Sequence, residues 1–130
     1  MDTWEIDARV IGSRDPDVDD LATLYAEGFT VLISLLGELR ERPLCPAARA
    51  QAMGFRRYSL PIADLEAPSL EQIDEFIDIV VRRHAGERIV VHCHAGMGRT
   101  GTMAAALLVA QGWSGDRALS PVRGARPEAS

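Results

Sequence analysis

Apolar residues fall into short blocks along this chain, and the blocks alternate between two periods. Trp4, Ile6, Val10 and Ile11 mark an opening strand or hairpin over residues 4–11. From Asp17 to Glu27, Leu21, Leu24 and Tyr25 recur at helical spacing, and Gly28 supplies the stop. Val31-Leu32-Ile33-Ser34-Leu35-Leu36 is a nearly continuous apolar run, the pattern of a strand buried on both faces. Residues 46–53 predict a short helix ended by Gly54, and residues 57–62 a further strand that Pro61 weakens. Ser69 has the chemistry to cap a helix in which Ile73, Phe76, Ile77 and Val80 share a face. Arg82, Arg83 and His84 fall in its last turn, where cations suit the helix dipole. Arg88-Ile89-Val90-Val91-His92 predicts an inner strand. After a glycine-rich turn, Thr102 to Gln111 predicts a helix that is apolar nearly all round and therefore buried. A final helix capped by Ser114 is expected to kink at Pro121, and Arg123 to Ser130 reads as a frayed polar tail.

Strand and helix blocks in alternation predict an α/β fold, a central and mostly parallel sheet flanked by helices on both faces. With 130 residues, one domain over residues 1–130 is expected, large enough to bury its own core without disulfides or a structural metal. The formal net charge of −5, from 14 basic and 19 acidic residues, disfavours a general surface for nucleic acid or an anionic membrane. All the basic residues are Arg, with no Lys in the chain, so a fixed positive charge in any site must be a guanidinium. Two cysteines, Cys45 and Cys93, are too few for a disulfide framework. No apolar run is long enough to span a bilayer, and the acidic start Met1-Asp2-Thr3-Trp4-Glu5 lacks a leader pattern. These features predict a cytoplasmic, monomeric protein in a reducing compartment.

The chemistry converges on Val91-His92-Cys93-His94-Ala95-Gly96-Met97-Gly98-Arg99-Thr100-Gly101-Thr102. A Cys followed six residues later by Arg is weak evidence alone, because Arg is abundant here. The context sharpens it: an apolar strand ends at the Cys, glycines stand at positions 96 and 98, and an apolar helix follows. A glycine-rich strand-to-helix turn can aim successive backbone N–H groups inward, at the positive end of a helix dipole. Gly96 and Gly98 allow that backbone, and the amides of His94, Ala95, Gly96, Met97 and Gly98 would line an anion site. Arg99 offers a planar fork able to grip two phosphate oxygens. Within such a cradle Cys93 is expected to ionise and attack phosphorus, and Thr100 to donate its hydroxyl to the sulfur and help it leave.

This run resembles the signature loop of the cysteine-dependent protein tyrosine phosphatases, in the spelling His-Cys-x-x-Gly-x-x-Arg-Thr-Gly. It is most similar to the small atypical dual-specificity phosphatases and their compact prokaryotic relatives. The opening Trp4…Val10-Ile11-Gly12, the entry Gly28-Phe29-Thr30-Val31 and the ending Arg123…Arg126-Pro127 resemble the family more loosely. The resemblance implies a phosphocysteine at Cys93, phosphate held by Arg99 and the loop amides, and His92 bracing the loop from behind. It implies a general acid in a Pro-containing loop about thirty residues upstream of the Cys. Asp64, in Pro61-Ile62-Ala63-Asp64-Leu65-Glu66-Ala67-Pro68, fits that description, with Glu66 as the alternative. No metal or other cofactor is implied. Family members usually continue into another helix carrying a water-positioning Gln, and this chain stops at Glu128-Ala129-Ser130.

The expected activity is hydrolysis of phosphotyrosine, with phosphoserine and phosphothreonine, in proteins or peptides. Alternatives are a phosphatase of small molecules or phosphoinositides, and a phosphate-binding module without turnover. Other readings of the same residues are an inert core thiol at Cys93, a zinc site from His92, Cys93 and His94, and Cys45 as a redox partner of Cys93.

Overall fold

The computed structural model describes residues 2–37, 40–95 and 98–112. The chain opens as a hairpin of β1 (Thr3–Glu5) and β2 (Val10–Ser13). The Asp7 carboxylate fixes its turn by accepting the backbone N–H groups of Arg9 and Val10, each at 2.9 Å. Helix α1 (Val18–Ala26) starts at Asp17 in a reciprocal capping box: the Asp17 side chain takes the Asp20 N–H, and the Asp20 side chain takes the Asp17 N–H. Gly28, at φ +100°, turns the chain into β3 (Phe29–Ser34). Helix α2 (Ala47–Ala52), β4 (Arg56–Ser59) and α3 (Leu70–Ile77) follow, α3 capped by a second reciprocal pair, Ser69 with Gln72. The helix then runs on as a π-helical stretch over Asp78–Arg83 before β5 (Arg88–His92) and α4 (Gly98–Ala110).

The five strands lie in the order β1-β2-β5-β3-β4; the hairpin pair is antiparallel and the other three pairings are parallel. Alternate residues of the inner strands face opposite ways. Ile89, Val91, Val31 and Ile33 join Phe76, Met103 and Leu107 in the larger core. Val90 and Leu32 join Leu21, Leu24 and Phe55 in the smaller one. Helices therefore cover both faces, as the sequence predicts.

Four local expectations change. Strand β4 ends at Ser59, ahead of Pro61. Helix α4 begins at Gly98, before Thr102, so the Arg of the motif lies in its first turn. That helix is not buried all round: Met103, Ala104, Leu107 and Leu108 are covered while Val109 is half-exposed. His84, expected only to end the helix, is buried there and partnered, with the Tyr58 hydroxyl 2.5 Å from Nε2 and Glu87 Oε1 3.2 Å from Nδ1. Arg9 closes the same corner, donating to the carbonyls of Val80, His84 and Glu87. The expected Ser114 cap, Pro121 kink and polar tail lie outside the described residues.

What positions a site is the carboxyl edge of the parallel strands. There the Leu35 N–H donates to the His92 carbonyl at 2.8 Å, and the Leu60 N–H to the Ser34 carbonyl at 2.8 Å. The segments leaving β3, β4 and β5 are thus gathered at one edge, where parallel sheets bind ligands. Among the described residues, no helix is long and apolar enough to cross a membrane.

Gly12 is required by close approach: a Cβ there would lie 2.5 Å from Cε2 of the buried Trp4 indole. Gly12→Ala should therefore lower stability by about 1–3 kcal/mol, read as an earlier urea midpoint with unchanged m-value.

Candidate active site

Strand β5 delivers His92 and Cys93 to the carboxyl edge, and α4 delivers Arg99 and Thr100 back to it; Gly96 and Met97 of the intervening turn lie outside the described residues. The short strand-to-helix connection is what brings residues 93 and 99 together. Cys93 is close enough for a thiolate there to hold the Arg99 proton more firmly, after the larger effect of Glu41. The sulfur is not openly presented. Cys93 is 2% exposed and belongs to the larger core, whereas its neighbours His94 and Ala95 are exposed. The thiol is the floor of the site, beneath the turn.

Arg99 is itself buried, and its pairing differs from expectation. Nη1 and Nη2 donate to the two Glu41 carboxylate oxygens, at 2.5 and 2.9 Å, and Nη1 also donates to the Ile62 carbonyl at 2.8 Å. A buried guanidinium needs an anion, and Glu41 supplies it. The fork read as the phosphate grip is thus occupied by Glu41 along its Nη1–Nη2 edge. The Arg99 guanidinium, helped by the Gly37 N–H, holds the Glu41 carboxyl down at about 2. Glu41 is therefore an anion at any working pH and no proton donor.

Asp64 sits across from this pair. Its Oδ1 is 3.5 Å from Arg99 Nη2, and its side chain is 69% exposed. Its loop turns through Leu65, at φ +69°, a sterically costly conformation for a leucine, and the Leu65 side chain is 98% exposed. Glu66, the alternative acid, lines the same cleft but is not paired with Arg99. Gly37, Arg40, Glu41, Pro61, Ala63, Asp64 and Glu66 border a cavity of about 780 Å³.

His92 lies fully buried behind the turn, with Nδ1 3.4 Å from the Cys93 carbonyl. Burial pushes its pKa down to about 4, so the ring is neutral near pH 7. His92 and His94 fall on opposite sides of Cys93, one buried and one exposed, so the three residues of the zinc reading do not converge. Among the described residues no group of three His, Cys, Asp or Glu is arranged to hold a metal. The Thr100 hydroxyl is buried with no hydrogen-bond partner, so the expected bond to the Cys93 sulfur is not made here. Cys45 is a free, buried thiol in the smaller core, apart from the cluster that contains Cys93.

With this geometry in hand, the comparisons are direct. A family model described as "Polymorphic toxin system, DSP-PTPase phosphatase" (Tc-R-P) matches residues 7–113. The chain belongs to this family. It is accordingly a cysteine-dependent phosphatase of the tyrosine and dual-specificity phosphatase superfamily. The crystal structure of Tk-PTP in the active form shares 32% identity at a TM-score of 0.86, with 98% of this phosphatase and 86% of that chain covered. PTPMT1 in complex with PI(5)P superposes at a TM-score of 0.88 over 98% of this chain and 85% of that one, with 24% identity, a likeness of fold. The tyrosine-protein phosphatase CDC14 homolog of Schizosaccharomyces pombe is 34% identical over 67 residues, which span 52% of this phosphatase and 12% of that protein.

Two acid-labile elements follow, and their signs agree. Glu41 is depressed from 4.5 to about 2, so its contribution is present above pH 4.5 and is lost as pH falls towards 2. His92 is depressed from 6.5 to about 4, so folding weakens as pH falls from 6.5 towards 4. Glu41→Gln should cost about 1–3 kcal/mol at pH 7 by leaving the guanidinium uncompensated. In a urea-midpoint series against pH it should erase the lower window and leave the upper one.

Proposed function

We propose that this phosphatase hydrolyses phosphotyrosine, and phosphoserine and phosphothreonine, in proteins or peptides, through a phosphocysteine on Cys93. The observation that carries the reading is the junction of a cysteine, a buried arginine and a facing carboxyl group. Arg99 has Glu41 along one edge and Asp64 Oδ1 3.5 Å from Nη2. In the first step the Cys93 sulfur attacks phosphorus, the bond to the leaving oxygen breaks, and Asp64 gives that oxygen its proton. In the second, Asp64 takes a proton from water, the water oxygen bonds phosphorus, and the sulfur departs with its electron pair. Arg99 and the amides of residues 94–99 neutralise the phosphoryl oxygens throughout. Thr100, whose hydroxyl is an unpaired buried donor, stabilises the departing thiolate. His92, neutral and packed beneath the turn, holds its backbone.

The charge around the cleft supports a single phosphate group over a polyanionic inositol phosphate. Its described lining carries Glu41, Asp64 and Glu66 against one unpaired cation, Arg40. The turn residues His94 and Met97 add no fixed positive charge. The cleft is open on the side of the exposed Asp64 loop, which suits an extended substrate and a permissive rather than phosphotyrosine-only choice.

Cys93→Ser should lower turnover of an aryl phosphate by at least about 10³-fold while retaining vanadate binding by calorimetry; turnover within tenfold of wild type would end the covalent mechanism. Asp64→Ala should slow aryl phosphates with poor leaving groups by about 10²-fold or more and spare those with good ones. If Glu66→Ala produces that pattern instead, the acid is Glu66. A preference for phosphoinositides over phosphopeptides in a substrate panel would overturn the substrate class and leave the chemistry standing.

A further inference from the structure

Asp15 was given no part by the sequence pattern, yet it is buried, 5% exposed, at the carboxyl end of the sheet directly behind the catalytic turn. Three segments of the site touch it. Its backbone N–H donates to the His94 carbonyl at 3.1 Å, inside the turn that follows Cys93. Its Oδ2 accepts the Leu44 N–H at 3.0 Å, three residues after Glu41. Its Oδ1 lies 3.7 Å from His92 Nδ1 and has no hydrogen-bond partner. An unsatisfied carboxylate oxygen in the interior is costly, and such groups persist where the site uses them.

The His92 ring stands beside this oxygen. Its Nδ1 stands 3.4 Å from the Cys93 carbonyl and 3.7 Å from Asp15 Oδ1, a long contact to each. With its proton on Nδ1, the ring has Asp15 Oδ1 and the Cys93 carbonyl as alternative acceptors. Through Leu44 it also fixes the segment that presents Glu41 to Arg99.

We infer that Asp15 is a positioning residue of the phosphatase site, tying the turn at His94, the Glu41 segment at Leu44 and the His92 ring into one unit. The inference rests on the proposed role of Cys93 as the reacting thiol. It also carries an electrostatic consequence. The Asp15 carboxylate is faced by Arg14 on its own segment, Arg57 on β4, His92 on β5, His94 on the turn, and Cys45 before α2. Cys93 is faced by Arg99 from α4, with His92 alongside. Asp15→Asn removes a carboxylate that reaches the Cys93 backbone by way of His92 Nδ1, and loss of a negative charge at that separation favours an anion nearby.

The test pairs Asp15→Asn with Asp15→Ala in the full chain. Asn keeps an acceptor for the Leu44 N–H and loses the charge; Ala loses both. Two quantities are read: kcat and KM for an aryl phosphate, and the pH dependence of iodoacetate labelling at Cys93, followed on its own peptide so that Cys45 is separated. Asp15→Ala should lower kcat/KM by tenfold or more, mostly in kcat, and Asp15→Asn should recover most of that loss. In Asp15→Asn the acid limb of labelling should move down by about one pH unit. A limb that stays where wild type has it, or an Asn variant as slow as Ala, would overturn the assignment. If the Ala variant does not fold, the labelling limb of Asp15→Asn decides alone. A wild type that turns over no aryl phosphate, with the limb still displaced in Asp15→Asn, would remove the functional reading and uphold the tie.

Discussion

The bidentate pair between Arg99 and Glu41 is the interaction around which this site is built. A guanidinium cannot lose its proton, so once α4 carries Arg99 into the interior, a counter-charge has to be found. Glu41 provides it from the segment after β3, and the Ile62 carbonyl takes a third donor from the segment after β4. One side chain thereby joins the exits of three parallel strands. The pair also orients the guanidinium, since fork-to-fork contact with a carboxylate fixes a plane as well as a position.

The turn after β5 is anchored through its described residues from several directions. It is held from below by the buried His92 and from the side by the first turn of α4. It is held from behind by the Asp15 N–H on the His94 carbonyl. The sheet contributes the alignment: parallel strands β3, β4 and β5 all release their chains at one edge.

Much of this was legible in the residue pattern, and the rest was not for definite reasons. The apolar runs of β3 and β5, the capping residues Asp17 and Ser69, and the glycine-rich turn all act locally, so their signals are local. The Cys93 and Arg99 spacing announced phosphate chemistry for the same reason. Glu41 gave no such sign. It stands in the charged run Glu38-Leu39-Arg40-Glu41-Arg42, indistinguishable from a solvated loop until the fold brings it to Arg99. The available clue was only that a carboxylate follows closely on a buried parallel strand. Asp15 and His84 carry no local signal of burial either, because the partners that hold them are distant in sequence. Helix α4 begins earlier than its residue pattern suggests, since glycine at 98 and 101 looks like a loop, whereas packing against the sheet overrides propensity.

The Leu65 turn divides the site into parts of unequal stiffness. Cys93, His92 and Arg99 are embedded among close-packed neighbours, while the Asp64 wall stands out into solvent on a backbone kink that already stores strain. The proposed nucleophile and phosphate grip thus lie in the unyielding half, and the proposed proton donor stands with the compliant half. Exposed positions on that wall, Leu65 and Glu66 among them, can change without disturbing the packing beneath, provided Asp64 keeps its place.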